Sequence, residues 1–204
     1  MIQIESAEHP LEESMPLALL LVARAQLMGL LPPVLQAVDL ELLVGLAGEL
    51  QKRGIATLAS AALVRAARSE PIDDAALAEA LRATIAAVAA SPHPEGEWRA
   101  ARELLDDDLL ARLVGVSSSS LRRYAKGDRK TPDDAAWRLH LVVQVLAALS
   151  GSYNGYGVRR WFLRPRSTLG GATPADVLER GEPEDDVRRV VALAEALLGP
   201  LGAG

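Results

Sequence analysis

The chain of 204 residues contains no cysteine, and its three histidines, His9, His93 and His140, lie far apart. The missing thiols exclude disulfides, thiolate nucleophiles and cysteine-ligated zinc. No histidine has a second ligand at the spacing that metal sites use. We therefore expect neither a metal nor a cofactor, and the absence of cysteine fits a reducing, cytoplasmic environment.

Aromatic residues are also scarce, at 3% of the chain, although half of the residues are apolar. The apolar residues are mainly leucine, alanine and valine. Leucine and alanine favour helices, whereas sheets draw on β-branched and aromatic side chains. The composition therefore predicts an all-α protein with ample material for a core.

A long uninterrupted apolar run is missing as well. The longest, residues 15–23, ends at Arg24 and is far shorter than the roughly 20 residues that span a bilayer. The first residues are acidic, where a signal peptide begins with basic ones. We expect a soluble protein in which this run is a buried helix.

Recognisable catalytic motifs are absent. The serines at 117–120 lack the G-x-S-x-G pattern, and no glycine-rich loop precedes Lys130 and Thr131. The aspartates at 106–108 stand at a predicted helix start, where carboxylates favour the helix dipole. We expect that the protein is not an enzyme.

Charge is distributed unevenly. Residues 98–168 carry 13 basic and 7 acidic side chains, whereas the rest of the chain carries 9 basic and 20 acidic ones, for a net charge of -5. A basic segment within an acidic chain is compatible with nucleic-acid binding or with ordinary surface charge. Only the position of these charges on the folded protein can distinguish the two interpretations.

The chain divides at residues 91–97, SPHPEGE, which are rich in proline and poor in apolar residues. We predict a helical module at 1–95 with no recognisable function beyond packing or dimerisation, a DNA-binding domain at 96–150, and a small helical domain at 151–204. The first module is expected to hold four helices, at 11–30, 34–53, 57–68 and from Asp73 or Asp74 onward.

A helix-turn-helix motif is predicted at residues 107–126, DDLLARLVGVSSSSLRRYAK. Ala111 is small enough for two helices to cross closely, and Gly115 supplies the positive φ that the turn requires. Ser117 is placed to cap the second helix. Side chains at 110, 114, 116, 121 and 124 should point inward.

The outward positions of the second helix and the loop after it are rich in arginine, lysine and serine. Arginine reads guanine in the major groove, while lysine and hydroxyl groups suit phosphates. The plainer interpretation is a solvated, charged helix in a structural hairpin. The candidate DNA-binding residues are Ser117, Ser118, Ser119, Arg122, Arg123, Lys126, Arg129 and Lys130.

Three further helices are predicted after this motif. Thr131 should cap a long buried helix that continues to Leu149, and the residues at 151–157, GSYNGYG, should break it. The sequence T-P-x-D occurs at residues 131–134 and again at 173–176, where Thr173 should open a short helix that ends at Gly181. The last helix is expected at 184–198.

The segment RRWFLRPRSTLGGATPADVL, residues 159–178, resembles antitoxins of the Xre/MbcA/ParS type, and the resemblance covers about residues 98–200. In these antitoxins an Xre-like helix-turn-helix precedes a small toxin-binding domain. The resemblance implies a cytoplasmic protein that binds its own promoter and neutralises a RES-type toxin. The first 95 residues have no counterpart in the family.

The resemblance also assigns roles within the C-terminal segment. It implies that Trp161, Phe162, Leu169 and Leu178 form the core of a toxin-binding module and that Gly170 and Gly171 form a turn. Arg164 and Arg166 are then the candidate partner-binding residues.

Two alternatives remain open: a helix-turn-helix transcription regulator without a toxin, and a protein-binding adaptor. A DNA-binding protein with one short recognition helix is expected to be at least a homodimer.

Overall fold

A computed structural model describes residues 13–181 and 184–198. Eleven α-helices and two short 3₁₀ helices make up its regular structure, and these residues contain no strand, which confirms the predicted all-α class. None of the described helices has the length and hydropathy needed to cross a membrane. The predicted start of the first helix, at residue 11, lies outside the described residues.

The helices follow one another as α1 Ser14–Leu27, α2 Leu40–Lys52, α3 Thr57–Ala67, α4 Asp74–Ala89, α5 Pro94–Leu104, α6 Asp107–Val114, α7 Ser118–Lys126, α8 Asp133–Ser150, α9 Gly155–Leu163, α10 Pro174–Arg180 and α11 Glu184–Glu195. The 3₁₀ helices are Ser167–Leu169 and Ala196–Leu198.

The described residues form two compact units, the first from 13–26 and 30–91 and the second from 27–29, 92–181 and 184–198. The division falls at the start of the predicted linker. Helices α5 to α11 all belong to the second unit, so the predicted helix-turn-helix and the C-terminal segment share one compact unit.

Two helix starts in the first unit, those of α2 and α4, are capped by aspartate side chains. Asp39 caps α2 by accepting a hydrogen bond from the Leu42 amide at 2.8 Å, and Asp73 caps α4 through the Ala76 amide at 3.1 Å. The prediction that the second helix begins at Val34 was wrong. No side chain near Val34 caps a helix, and α2 begins only after Asp39, which does.

The centre of the second unit is α8, in which 12 of 18 residues are buried. Helices α5, α6, α9 and α11 pack against it. An 18-residue helix that is apolar on most of its circumference needs neighbours on several sides, which explains why the unit is built around it.

A polar pair crosses the core between α5 and α8. The His140 Nδ1 forms a hydrogen bond of 2.6 Å with Glu97 Oε1, and both side chains are almost completely buried. The same oxygen accepts the backbone amide of His93, the residue that precedes α5, at 3.1 Å. Glu97 thereby ties the start of α5 to α8, because buried polar atoms need hydrogen-bond partners.

Thr131 does not cap α8 as predicted. Pro132 holds the N-cap position without a side-chain bond, and the Thr131 hydroxyl accepts a hydrogen bond of 3.0 Å from Trp98 Nε1. Trp98, 1% exposed, also stacks on Tyr124 with ring centroids 6.0 Å apart. A buried indole needs an acceptor, and no local pattern indicates a partner 33 residues away.

Helix α9 was not predicted, because its first residues lie in the glycine-containing segment expected to break α8. The break is short. Asn154 caps α9 by accepting the Gly157 amide at 2.9 Å. Burial of Val158, Trp161 and Phe162 offsets the low helix propensity of the two glycines.

We predict that Thr131→Val destabilises the second unit by about 1–3 kcal/mol, because valine has the same shape but leaves the buried Trp98 N–H without an acceptor. All three tryptophans lie in this unit, so urea denaturation followed by tryptophan fluorescence reports on it. The control, Thr168→Val at an exposed position, should change stability by at most about 0.5 kcal/mol. Equal effects of the two substitutions would contradict the role assigned to Thr131.

Candidate nucleic-acid interface

Helices α6 and α7 form the hairpin that the sequence predicts. Asp106 caps α6 through the Leu109 amide at 2.8 Å, and α6 ends at Gly115, whose φ is 72°. Ser117 then caps α7 by accepting the Ser120 amide at 3.1 Å. The predicted local roles of Gly115 and Ser117 are confirmed.

The inward face of the hairpin is closely packed. Leu110 and Leu121 are fully buried, Val114 is 1% exposed, and Ala111 is buried where the predicted crossing requires a small side chain. Tyr124 is also buried, and Val116 is half-buried. These contacts hold α7 against the unit by its apolar side, so its opposite side is turned outward.

Gly115 lies against the end of the Arg138 side chain, in addition to having the positive φ that the turn requires. A Cβ at this position would collide with the guanidinium of Arg138 on α8, and the same holds for Gly181, which ends α10. The guanidinium therefore lies beside the C-terminal ends of α6 and α10, where a positive charge is favourable to the helix dipole.

The outward side of α7 carries Ser119, Arg122, Arg123 and Lys126, which we call the basic face. All four are exposed, and their spacing of three, four and seven residues places them on one side of the helix. Three cationic side chains thus project from a helix that is fixed from behind.

The loop after α7 extends this charge. Arg129 and Lys130 are both exposed, and the Arg129 guanidinium lies 5.7 Å from the centre of the Tyr124 ring. Because Tyr124 stacks on the buried Trp98, the contact holds Arg129 near the end of the basic face.

The three candidate serines are largely engaged within the protein. Ser117 acts as the cap, and its Oγ lies 3.0 Å from that of Ser119. Ser118 is half-buried, and its hydroxyl donates to Asp108 at 2.9 Å. Of these serines, Ser119 lies on the basic face.

An acidic neighbour touches one end of the basic face. Asp107 lies 3.9 Å from Arg122 and receives two shorter bonds from Arg102, at 2.8 and 3.3 Å. The Arg122 side chain is 55% exposed, so water screens its long contact with Asp107. Arg122 therefore remains available to an external ligand.

Helix α6 is held from the other side by α10. Arg112 donates to Glu179 and to Asp176 at 2.7 Å each, and Asp176 also completes a reciprocal capping box with Thr173. Hydrogen bonds from Thr173 lower the pKa of Asp176, with Arg112 adding to the effect. The pKa of Arg112 is raised, chiefly by Glu179, and its charge is permanent.

Sequence reasoning missed this link. Asp176 and Glu179 are three residues apart, which places two carboxylates on one face of α10. Nothing local indicates an arginine more than 60 residues earlier as their partner.

The two arginines predicted to bind a partner lie in different surroundings. Arg164 is exposed just after α9. Arg166 is half-buried, with its guanidinium 5.1 Å from the centre of the Trp161 ring. Trp161, Phe162 and Leu178 are buried as predicted, whereas Leu169 is only half-buried.

In the described ranges, no three histidine, aspartate or glutamate side chains gather closely enough to hold a metal ion. Comparison of the chain with protein-family models, with curated proteins and with solved structures finds no match.

We predict that Asp176→Asn destabilises the second unit by about 1 kcal/mol near neutral pH, through loss of charge in the capping box and at Arg112. Because the folded-state pKa of Asp176 is lowered, its carboxylate contributes stability above the unfolded-state pKa. That contribution is lost as pH falls through the folded-state value. The wild type and the variant should therefore converge in stability on acidification.

Urea denaturation followed by tryptophan fluorescence, from about pH 7 to about pH 3, measures this convergence. Asp185→Asn, at an exposed position of α11, is the matched control. A difference between wild type and Asp176→Asn that stays constant across this range would contradict the electrostatic origin of the effect.

Proposed function

We propose that the protein is a cytoplasmic, DNA-binding antitoxin and autorepressor of a type II toxin–antitoxin system. In this proposal α6 and α7 bind promoter DNA, and the C-terminal segment at 151–204 neutralises a RES-type toxin. The observation that carries the DNA-binding part is the basic face, presented by a helix whose other side is buried. The toxin part is carried by the resemblance of residues 159–178 to Xre/MbcA/ParS antitoxins.

An α-helix such as α7 can enter the major groove of DNA. A helix with its side chains is about 10–12 Å across, and the groove of B-DNA is about 12 Å wide. In the proposed complex Arg122 and Arg123 contact base edges, while Lys126, Arg129 and Lys130 contact phosphates. Ser119 is a further candidate for phosphate contact, and Ser117 and Ser118 support α7 through their bonds within the hairpin.

The net charge of the chain is negative, so binding to DNA cannot depend on the overall electrostatic attraction between the two molecules. The favourable charge is local to the basic face and the loop after it. Such contacts release counterions from DNA, which makes affinity fall steeply with salt.

We predict that replacing Arg122 and Arg123 together by alanine weakens binding to the chain's own upstream DNA at least tenfold, since each specific base contact contributes about 1–3 kcal/mol. Both side chains are exposed, so the free energy of unfolding should change by no more than about 0.5 kcal/mol. Fluorescence anisotropy at two salt concentrations, with a scrambled duplex alongside, measures the affinity and its salt dependence.

The matched control is Arg65→Ala with Arg68→Ala, which removes the same charge from exposed positions of the first unit. If the Arg122 and Arg123 variant kept wild-type affinity while folded, the assignment of α7 as recognition helix would be wrong. Equal wild-type affinity for upstream and scrambled DNA would favour the adaptor alternative.

We also predict that the protein forms at least a dimer, because two recognition helices about one DNA turn apart supply the affinity that one short helix lacks. Light scattering should give a mass well above the 21.7 kDa of one chain. A mass of one chain at micromolar concentration, with and without operator DNA, would contradict this prediction.

The toxin-binding role is better tested by point substitutions than by deletion of the C-terminal segment. Helices α9, α10 and α11 cover α6 and α8 within one unit, so their removal would expose the core. Co-expression of surface variants with a candidate toxin, scored by growth, separates neutralisation from operator binding.

A further inference from the structure

An open groove of about 640 Å³ lies between the start of α6 and the outer side of α9. Asp106 lines it on the α6 side, and Tyr156, Arg159, Arg160, Leu163 and Arg164 line it from α9 and the residue that follows. We call this the α9 groove. It lies entirely within the second unit and contains none of the residues of the basic face.

The α9 groove exposes apolar surface that the fold does not use. Tyr156 is 65% exposed and Leu163 is 49% exposed, although the opposite side of α9 supplies Trp161 and Phe162 to the core. Tyr156 and Leu163 are seven residues apart, so they lie on one side of the helix, two turns from each other. Exposed apolar side chains grouped in a concave site are typical of an interaction surface.

The groove is also positively charged. Residues 151–175 contain four arginines and no acidic residue. Within the described part of the chain, Arg159, Arg160 and Arg164 take part in no ion pair, whereas Arg102 and Arg112 are each paired. The one carboxylate in the lining, Asp106, accepts the Leu109 amide as the cap of α6.

We propose that the α9 groove binds an acidic amphipathic segment of a partner protein. Apolar side chains of that segment cover Tyr156 and Leu163, and its carboxylates pair with Arg159, Arg160 and Arg164. Arginine suits this task because its planar guanidinium binds carboxylates through two parallel hydrogen bonds. The inference rests on the part of the proposed function that assigns protein binding to residues 151–204, and it does not depend on DNA binding.

A protein ligand accounts for the groove better than a nucleic acid does. Phosphates would pair with the arginines but would leave the apolar side chains of Tyr156 and Leu163 uncovered. An amphipathic helix presents apolar and acidic side chains at the same three- and four-residue spacings as α9. It therefore matches both the apolar and the charged parts of the lining.

The test uses the full chain and three fluorescein-labelled peptides of about 16 residues, which as helices exceed the length of α9 at about 1.5 Å per residue. The first peptide carries leucine on one face and glutamate on the other. The second has the same composition in a non-amphipathic order, and the third has lysine in place of glutamate. A random DNA duplex of similar length is the fourth probe.

We expect the acidic amphipathic peptide to bind at least about tenfold more tightly than the other two peptides, because it alone matches both charge and apolar surface. Arg159→Glu with Arg160→Glu should reduce this affinity at least about tenfold, since like charges then face each other. Tyr156→Ser with Leu163→Ser should also reduce it, by about fivefold, through lost apolar burial.

The matched control is Arg65→Glu with Arg68→Glu, which makes the same change of charge on the first unit and should leave peptide affinity unchanged. Circular dichroism melting of each variant verifies folding, and the seryl variant tests the groove without any change of charge. Equal binding of all three peptides by the wild type, or equal losses in the groove and control variants, would overturn the proposal. So would a groove variant that lost duplex affinity but kept peptide affinity.

Upstream-DNA binding is measured in the same samples. A protein that binds the acidic peptide in the α9 groove but has no preference for its upstream DNA would support this inference and overturn the DNA-binding part of the proposed function. The reverse result would overturn the inference alone.

Discussion

Burial of α8 is the constraint on which the second unit depends. A helix with 12 of 18 residues buried is stable only when neighbours cover it on several sides, and α5, α6, α9 and α11 supply that cover. The chain cannot release one of these helices without exposing the apolar surface of α8. The α6–α7 hairpin and the C-terminal helices are therefore positioned by the same core, although they are proposed to bind different ligands.

The features that could be predicted from sequence are those determined by near neighbours in the chain. Gly115 ends a helix and Ser117 starts the next, and both effects act within a few residues. The all-α class follows from composition for a similar reason, since helix propensity is local. The outward direction of Arg122 and Arg123 follows from the period of the helix once Leu121 and Tyr124 are recognised as inward.

The features that could not be predicted depend on distant partners. Thr131 has the right type and position for a cap, but a buried indole from α5 takes its hydroxyl. Helix α9 forms despite its two glycines. The free energy gained by burying Trp161 and Phe162 exceeds the loss of helix stability that the glycines cause. The α9 groove could be predicted only in part. Its arginines are evident from the sequence, but the exposure of Tyr156 and Leu163 depends on how the rest of the chain packs.

Arg138 joins two helix ends that are far apart in the chain. Its guanidinium fills the space that a side chain at Gly115 or at Gly181 would need. Because this guanidinium is the movable end of a flexible side chain, an alanine at either glycine would displace it, and the helix end at the other glycine would then lose its positive neighbour as well. Substitutions at 115, 138 and 181 are thus expected to be non-additive in stability, and any variation at these three positions should be linked.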